Sequence, residues 1–413
     1  MTLALLVSCS SDENEAPVAA PTQVTAVPTQ APAPTQAPAK PKVTRVVMGI
    51  APPLEETNVP RHTGATSFWH IRPEYEYLVE LDPRTGALSP SLATEWGMDP
   101  DGQSLRFKLR KGVPFHREAG EFTARDVVHS WQDLIQEDSL NNTGQKYFQR
   151  IDEIEIMNDY EVVFKFNNPD ADFLSNLSDS QSGFEITSKA FFDTNGEPSD
   201  PDANPPPGTA NYQYKERRIG SFIAFERVPY EHWRVTPDFQ EFESRFQAEA
   251  STRLAALLTD ETHVTALPDD LVVEATTRGY QIASGNVPAL RTFVSLLCCF
   301  VDPKTDTFRI EPTGPISNVN VRKAMSKAIN REEMNSFFGG KGTPMYINTF
   351  HQTRPAWNPE WETRFADEYG YDPAAAKELL TKAGYGPANP AKVTMLARNL
   401  TFFPGSLDIA DAV

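Results

Sequence analysis

The chain has 413 residues, 39% of them hydrophobic, and 35 prolines; that length exceeds one ordinary domain and suits two or three folded units. Its 38 basic and 56 acidic residues leave a formal charge of 38 − 56 = −18, which repels phosphate backbones and anionic bilayers and argues against nucleic-acid binding. Three cysteines, Cys9, Cys298 and Cys299, cannot build a disulfide framework or a four-ligand zinc site.

Leu3 to Val7 is apolar and runs into Leu6-Val7-Ser8-Cys9. That tetrapeptide resembles a bacterial lipobox, in which the cysteine thiol is lipidated and becomes the first mature residue. No Lys or Arg precedes the run, a departure from the usual export signal, and the run is too short to span a bilayer. The stretch that follows is rich in Pro, Thr, Ala and Gln, with APTQ at Ala20–Gln23 and again at Ala33–Gln36. It cannot bury enough apolar surface to fold and predicts an extended tether. The expected order is a lipoprotein signal over 1–9, with Cys9 as the lipidation site, then a disordered tether over 10–43.

Order is expected from Val43–Met48, a short apolar strand. Asp82 to Gly86 has turn composition. Leu105, Phe107 and Leu109 alternate with Arg106 and Lys108 and predict a half-buried strand. Thr123 and Asp126 have capping-box spacing, and Val127, Trp131, Leu134 and Ile135 then recur at helical spacing. Tyr160, Val162, Phe164 and Phe166 predict one face of another strand. Asn195–Gly208, polar and proline-rich, reads as a surface loop. Tyr212–Arg227 reads as a hairpin turning near Arg218–Gly220, and Thr252–Leu258 as a short helix.

Residues 280–300 read as two β-rich runs joined by Ser284–Pro288, the second a buried strand over Phe293–Phe300. Cys298 and Cys299 in that strand are either two small core residues or a strained vicinal disulfide. Val321, Ala324, Met325, Ala328 and Ile329 predict an apolar helix face. Asp372-Pro373 opens a helix that Gly384 ends. Strands and helices are mixed along the body, which predicts an α/β or α+β class.

Several segments occur in a telling order. They are Leu88–Trp96 (LSPSLATEW), Leu105–His116 (LRFKLRKGVPFH) and Phe122–Ser130 (FTARDVVHS), then Gly208–Tyr214 (GTANYQY) with Glu226–Tyr230 (ERVPY) and Trp233, then Val319–Arg331 (VNVRKAMSKAINR) and Tyr371–Tyr385 (YDPAAAKELLTKAGY). This series, running from about 44 to about 400, resembles family 5 of the bacterial solute-binding proteins, the peptide/nickel-binding group of ABC transporters. Asn211 and Val228 depart from the family pattern, which has Pro and Asn there. The resemblance also implies a chain truncated at its C-terminus, with an incomplete second lobe.

The resemblance implies an α/β, two-lobed periplasmic-binding-protein-like fold (type II, cluster C-like), with lobe 1 over 44–284 and lobe 2 over 285–413. The hinge is expected near Ala283–Leu290, where Gly285 and Pro288 interrupt two β-runs. It further implies a small organic solute, a peptide favoured, held by cleft closure and delivered to ABC permease subunits. The protein would be a monomer on the periplasmic or extracellular face, touching the membrane through its lipid anchor alone. Loops facing the cleft supply the candidate ligand contacts: Phe68 and Trp69 as apolar walls, Ser180 and Gln181, then Tyr346, His351, Arg354 and Trp357, with Arg354 able to hold a carboxylate. Phe107, Leu109, Trp131, Ala324 and Ala328 are expected in the core, and Arg322 in packing or a salt bridge.

No GxSxG elbow, HExxH or P-loop occurs, and none of the seven histidines pairs with a Cys or second His at ligand spacing. Asp200, Asp202 and Asn204 imitate an EF-hand start, but Pro205 stands where Gly is needed. The expectation is therefore no catalytic residue, no cofactor and no metal. The alternatives are a ligand-presenting receptor for signalling, a surface adhesin, or an extracytoplasmic hydrolase.

Overall fold

The structure is a computed structural model, and it describes residues 44–63, 70–82, 84–141, 148–167, 173–179, 184–196, 204–283, 292–298, 301–302, 305, 307–308, 314–338, 357–397 and 406–413. The chain divides into two units, Met1–Lys40 and Pro41–Val413, and every element below belongs to the second. Cys9, the tether and residues 284–290 of the expected hinge lie outside the described residues. No helix among the described residues is long and apolar enough to cross a membrane.

A mixed five-stranded sheet is built around β1 (Arg45–Ile50), close to the strand expected there. It pairs in parallel with β10 (Glu241–Phe246) on one side and with β11 (Val264–Thr265) on the other. β9 (Phe222–Arg227) and β8 (Tyr212–Arg218) complete the sheet antiparallel, and they are the predicted hairpin. Gly220 takes φ 71° at the turn. Ile223, Phe225 and Phe246 form the sheet's buried cluster, with Ile50, Tyr212 and Phe242 against it.

A second, antiparallel sheet has the order β4 (Ala93–Met98), β5 (Ser104–Leu109), β7 (Glu161–Phe166), β6 (Ile151–Asn158). The period-two pattern is realised: Leu105, Phe107 and Leu109 are buried, and Phe107 lies opposite Val162 in the register. Over this face packs α1 (Ala124–Leu134), started as expected by Thr123, whose backbone N–H donates to Asp126 Oδ2 at 2.7 Å. Val127 and Leu134 are buried, with Trp131 and Ile135 packed against the same core. Phe164 meets Phe107 edge-on at 5.1 Å, and Phe148 meets Phe184 at 4.9 Å.

β2 (Val79–Leu81) and β3 (Leu88–Pro90) form a small hairpin, closed by Gly86 N–H donating to Asp82 O at 2.8 Å. Two short helices follow in the chain, α2 (Phe173–Asn176) and α3 (Lys189–Asn195). α4 (Ala250–Leu258) packs on α5 (Asp269–Thr277) through Leu254, Leu257 and Ala275. The buried Arg253 holds this corner: its guanidinium donates to Gln247 O at 2.7 Å, Ala248 O at 2.8 Å and Ala266 O at 3.0 Å.

Past residue 300 come β12 (Val301–Asp302) and β13 (Thr307–Phe308), then α6 (Val319–Ala328), α7 (Arg331–Met334), α8 (Glu360–Tyr369), α9 (Pro373–Lys382) and α10 (Ser406–Ala412). α6 packs on α9 and α8. Asp372 caps α9 by accepting from Ala375 N–H at 2.9 Å, and Gly384 follows with φ 87°. Arg322 has the packing role expected of it, donating to Ile316 O at 2.8 Å and Ser317 O at 2.9 Å.

Three expectations fail. Residues 292–298 form no strand, and Phe293 is 56% exposed. An apolar run becomes a strand only when a neighbouring strand takes up its backbone groups, and 292–298 has no such neighbour among the described residues. Cys298 is a free, half-buried thiol, and Cys299 lies outside the described residues. Ala328 is exposed because it ends α6, beyond the buried Val321 and Ala324. The proline-rich segment is not a surface loop over its described part, since Pro205–Gly208 is buried. Its three prolines have no N–H to satisfy, so for them only carbonyls need partners. Tyr75 OH donates to Pro206 O at 2.7 Å, and His116 N–H donates to Gly208 O at 2.9 Å.

Candidate functional site

Most residues expected to touch a ligand lie outside the described residues: Phe68, Trp69, Ser180, Gln181, Tyr346, His351 and Arg354. Trp357 is described. It is half-buried just ahead of α8, its ring edge-on to Trp361 at 5.4 Å.

The flanks of two of those loops meet. Arg72 follows Trp69 by three positions, and Asp179 immediately precedes Ser180. The two side chains form an ion pair. Asp179 Oδ1 also accepts from Leu81 N–H at 2.8 Å, and Ser178 bridges to Val79 at the start of β2. Both segments therefore leave from one place, beside β2.

A cavity of about 170 Å³ opens there, lined by Arg72, Tyr75, Glu76, Tyr77, Glu80, Asp179, His232 and Arg234 among others. Glu76 is its centre. It is buried, its Oε2 accepts from Thr209 Oγ1 at 2.9 Å and Trp233 Nε1 at 3.2 Å, and its Oε1 accepts from Arg234 Nη2 at 2.9 Å. Arg234 also donates to Ser91 Oγ at 2.8 Å and pairs with Glu80. The Arg110 guanidinium lies 3.8 Å from the centre of the Trp233 ring, a cation–π contact. His232 Nε2 donates to Thr209 O at 3.0 Å, and Tyr77 OH donates to Glu185 Oε1 at 2.8 Å. Burial, helped by Glu185, pushes the Tyr77 hydroxyl well above its ordinary pKa, so it stays a donor.

This arrangement is a closed polar floor. Each carboxylate named above is matched by a guanidinium, hydroxyl, indole or amide donor. Among the described residues, the network's chemistry is to fix the start of two loops in space. A larger cavity of about 460 Å³ lies at the far end of the β8–β9 hairpin, lined by Glu226, Arg227, Tyr230 and Glu241 among others.

Sequence reasoning did not find Glu76, Arg234 or Arg72, and it placed Asp179 in the expected loop 178–183 without singling it out. Glu76 lies 133 residues from Thr209 and 158 from Arg234, so no local spacing could pair them. The one available signal was the GTANY and Trp233 motif pair, whose Thr209 and Trp233 both contact Glu76.

Burial outweighs the Arg234 pair at Glu80 and holds its carboxyl above the usual value of 4.5. A raised pKa means that the folded state favours the neutral carboxyl. That contribution is complete below 4.5 and is lost as pH rises through the folded value. Glu80→Gln removes the titration. Its melting temperature relative to the unmodified protein is expected to be higher at about pH 7 than at about pH 4; thermal scans at both values check the sign.

The profile of bacterial extracellular solute-binding proteins, family 5 Middle, matches residues 87–407. The dipeptide-binding protein of Escherichia coli is 28% identical over 76% of this chain and 58% of its own length. The probable ABC transporter periplasmic-binding protein SapA of Escherichia coli is 26% identical over 82% of this chain and 61% of its own. Among solved structures, the ABC transporter-associated periplasmic binding protein DppA from Helicobacter pylori, in complex with the peptide STSA, superposes with a TM-score of 0.58 at 25% identity. That match covers 82% of this chain and 66% of the other. The chain thus spans about three fifths of the length of the curated relatives it matches. With 87–407 matched as one stretch across both sheets and the helices after residue 314, the chain belongs to family 5 of the bacterial extracellular solute-binding proteins.

Proposed function

We propose that this chain is the solute-binding part of an ABC importer, that it takes a peptide or a similar organic solute, and that it is not an enzyme. The family match carries the reading. The dipeptide-binding relative and the peptide-bound neighbour favour a peptide within the family's range. The closed polar floor supports binding over catalysis, because its charged groups are spent on one another.

The solute sits between 44–284 and 285–413, contacts loops 66–70 and 178–183 on one side and 346–357 on the other, and draws the two halves together about a hinge near 283–290. The permease subunits read the closed form, which a solute favours only by binding it better than the open form. In support, α6, α8 and α9 pack chiefly on one another, while the two sheets hold the earlier elements. A lipid on Cys9 and a tether over 10–43 hold the domain on the outer face of the membrane.

Thermal unfolding of the intact protein across a solute panel tests this. A ligand at 100 times its Kd adds about 2.7 kcal/mol, a shift of several degrees. Di- to tetrapeptides are expected to raise the melting temperature, and Trp357→Ala is expected to shrink that rise. If sugars stabilise and peptides do not, the peptide assignment goes; if Trp357→Ala changes nothing, Trp357 leaves the site.

A further inference from the structure

We infer that Glu74, His116 and Arg117 enclose a site for an internal water molecule that joins the turn at 71–74 to the turn at 116–118. Glu74 is fully buried, and neither of its carboxylate oxygens has a hydrogen-bond partner. His116 is also fully buried. Its Nε2 lies 2.7 Å from Ala210 O, an atom that can only accept, so Nε2 carries the proton. Its Nδ1 has no partner and faces Glu74 Oε1 at 4.0 Å. Arg117 Nη2 stands at the same 4.0 Å from Glu74 Oε1.

Those separations are too long for direct hydrogen bonds. They are what one water produces when two bonds of about 2.8 Å meet at roughly a right angle. The donor and acceptor count also closes. The water accepts from Arg117 Nη2 and donates one hydrogen to Glu74 Oε1 and the other to His116 Nδ1. About three partners is the usual number for a buried water. Glu74 Oε2 remains as an acceptor for a second.

Other ligands fit poorly. An anion would face the carboxylate. A cation would face the Arg117 guanidinium. A metal would find one carboxylate oxygen and one imidazole nitrogen, and no group of three His, Cys, Asp or Glu stands together among the described residues.

The backbone is bent to make this site. Arg117 takes φ 55° and Glu118 φ 57°, left-handed values that non-glycine side chains rarely adopt. The turn sets Arg117, itself partly exposed, so that Nη1 donates to Asn204 Oδ1 at 2.6 Å and Nη2 also reaches Pro205 O. The water joins the turn at 71–74 to the turn at 116–118, and direct bonds from His116 and Arg117 add the stretch 204–210, buried from Pro205 on. The turn at 71–74 directly follows the expected loop 66–70, so the water would hold that loop's base.

A crystal structure of the intact protein, at a resolution that shows ordered water, tests this directly. The expected result is one density peak within about 3 Å of Glu74 Oε1, His116 Nδ1 and Arg117 Nη2. A direct Glu74–His116 or Glu74–Arg117 hydrogen bond with no peak between them overturns it, as does an anomalous signal from a metal. Two variants add a second readout. Glu74→Gln keeps an oxygen and is expected to keep the water and melt within about 2 °C of the unmodified protein; Glu74→Met is expected to lose the water and melt about 5 °C lower or more. A Glu74→Met protein that still holds the water, or melts with the unmodified one, also overturns the inference. Should Glu74→Met fail to fold, the density in the unmodified protein decides.

Discussion

Gly208→Ala is expected to destabilise the fold by about 4 kcal/mol or more, among the largest effects a single methyl group can have. An added Cβ would overlap the carbonyl oxygen of Glu74 and stand 2.8 Å from its carbonyl carbon and 2.9 Å from Tyr75 Cδ1. Backbone cannot give way as a flexible side chain can. Both strands of the crossing are also pinned: His116 N–H donates to Gly208 O at 2.9 Å, and Ala210 N–H donates to Glu74 O at 3.2 Å. Relief would pull 204–210 off the 71–74 turn and open the polar floor with it. Denaturant unfolding of the variant checks the size. A cost under about 1 kcal/mol would mean that the crossing is looser than described.

Glu76→Ala is expected to cost about 1–3 kcal/mol, the range for leaving buried donors without an acceptor, because Arg234 is a third exposed and keeps Glu80 as a partner. The loss exceeds that of the contacts themselves, because Trp233 Nε1 and the buried Thr209 Oγ1 are left without their acceptor, while Arg234 Nη2 keeps only Ser91 Oγ. Glu76→Gln keeps the shape and one acceptor oxygen, so it is expected to cost less. A double-mutant cycle with Arg234→Ala isolates the pair, and the two losses should fall short of additive by about 1 kcal/mol or more. Strict additivity would mean that the pair contributes little and that Glu76 acts through its other two contacts.

The parts of the fold that were legible in the sequence are those with a local cause. The alternation of Leu105, Phe107 and Leu109 has period two, and it gave a strand with those three side chains buried. Thr123 with Asp126, and Asp372 with Pro373, act over three residues or fewer, and both start helices as read. The hairpin over 212–227 has its turn glycine where composition placed it. What failed lacked a local cause. Pro205–Gly208 looked like surface because prolines mark loops, yet a run with so few N–H groups is easily buried once tyrosine, histidine and arginine donors reach its carbonyls. Residues 292–298 looked like a buried strand because they are apolar, yet a strand is a relation between two segments. The polar floor was invisible for the same reason. Its pairs join residues up to 158 positions apart, and Glu76 in the sequence is one acidic residue among 56.

The central claim is that a small solute is clamped by loops from both halves of the body. A crystal structure of the intact protein with the peptide that stabilises it most tests this most directly. The expected result is a peptide touching at least one of residues 66–70 or 178–183 and at least one of residues 346–357, next to the Arg72–Asp179 pair. A peptide seated on one of those sides alone, or bound at the larger cavity beside Tyr230, would contradict it.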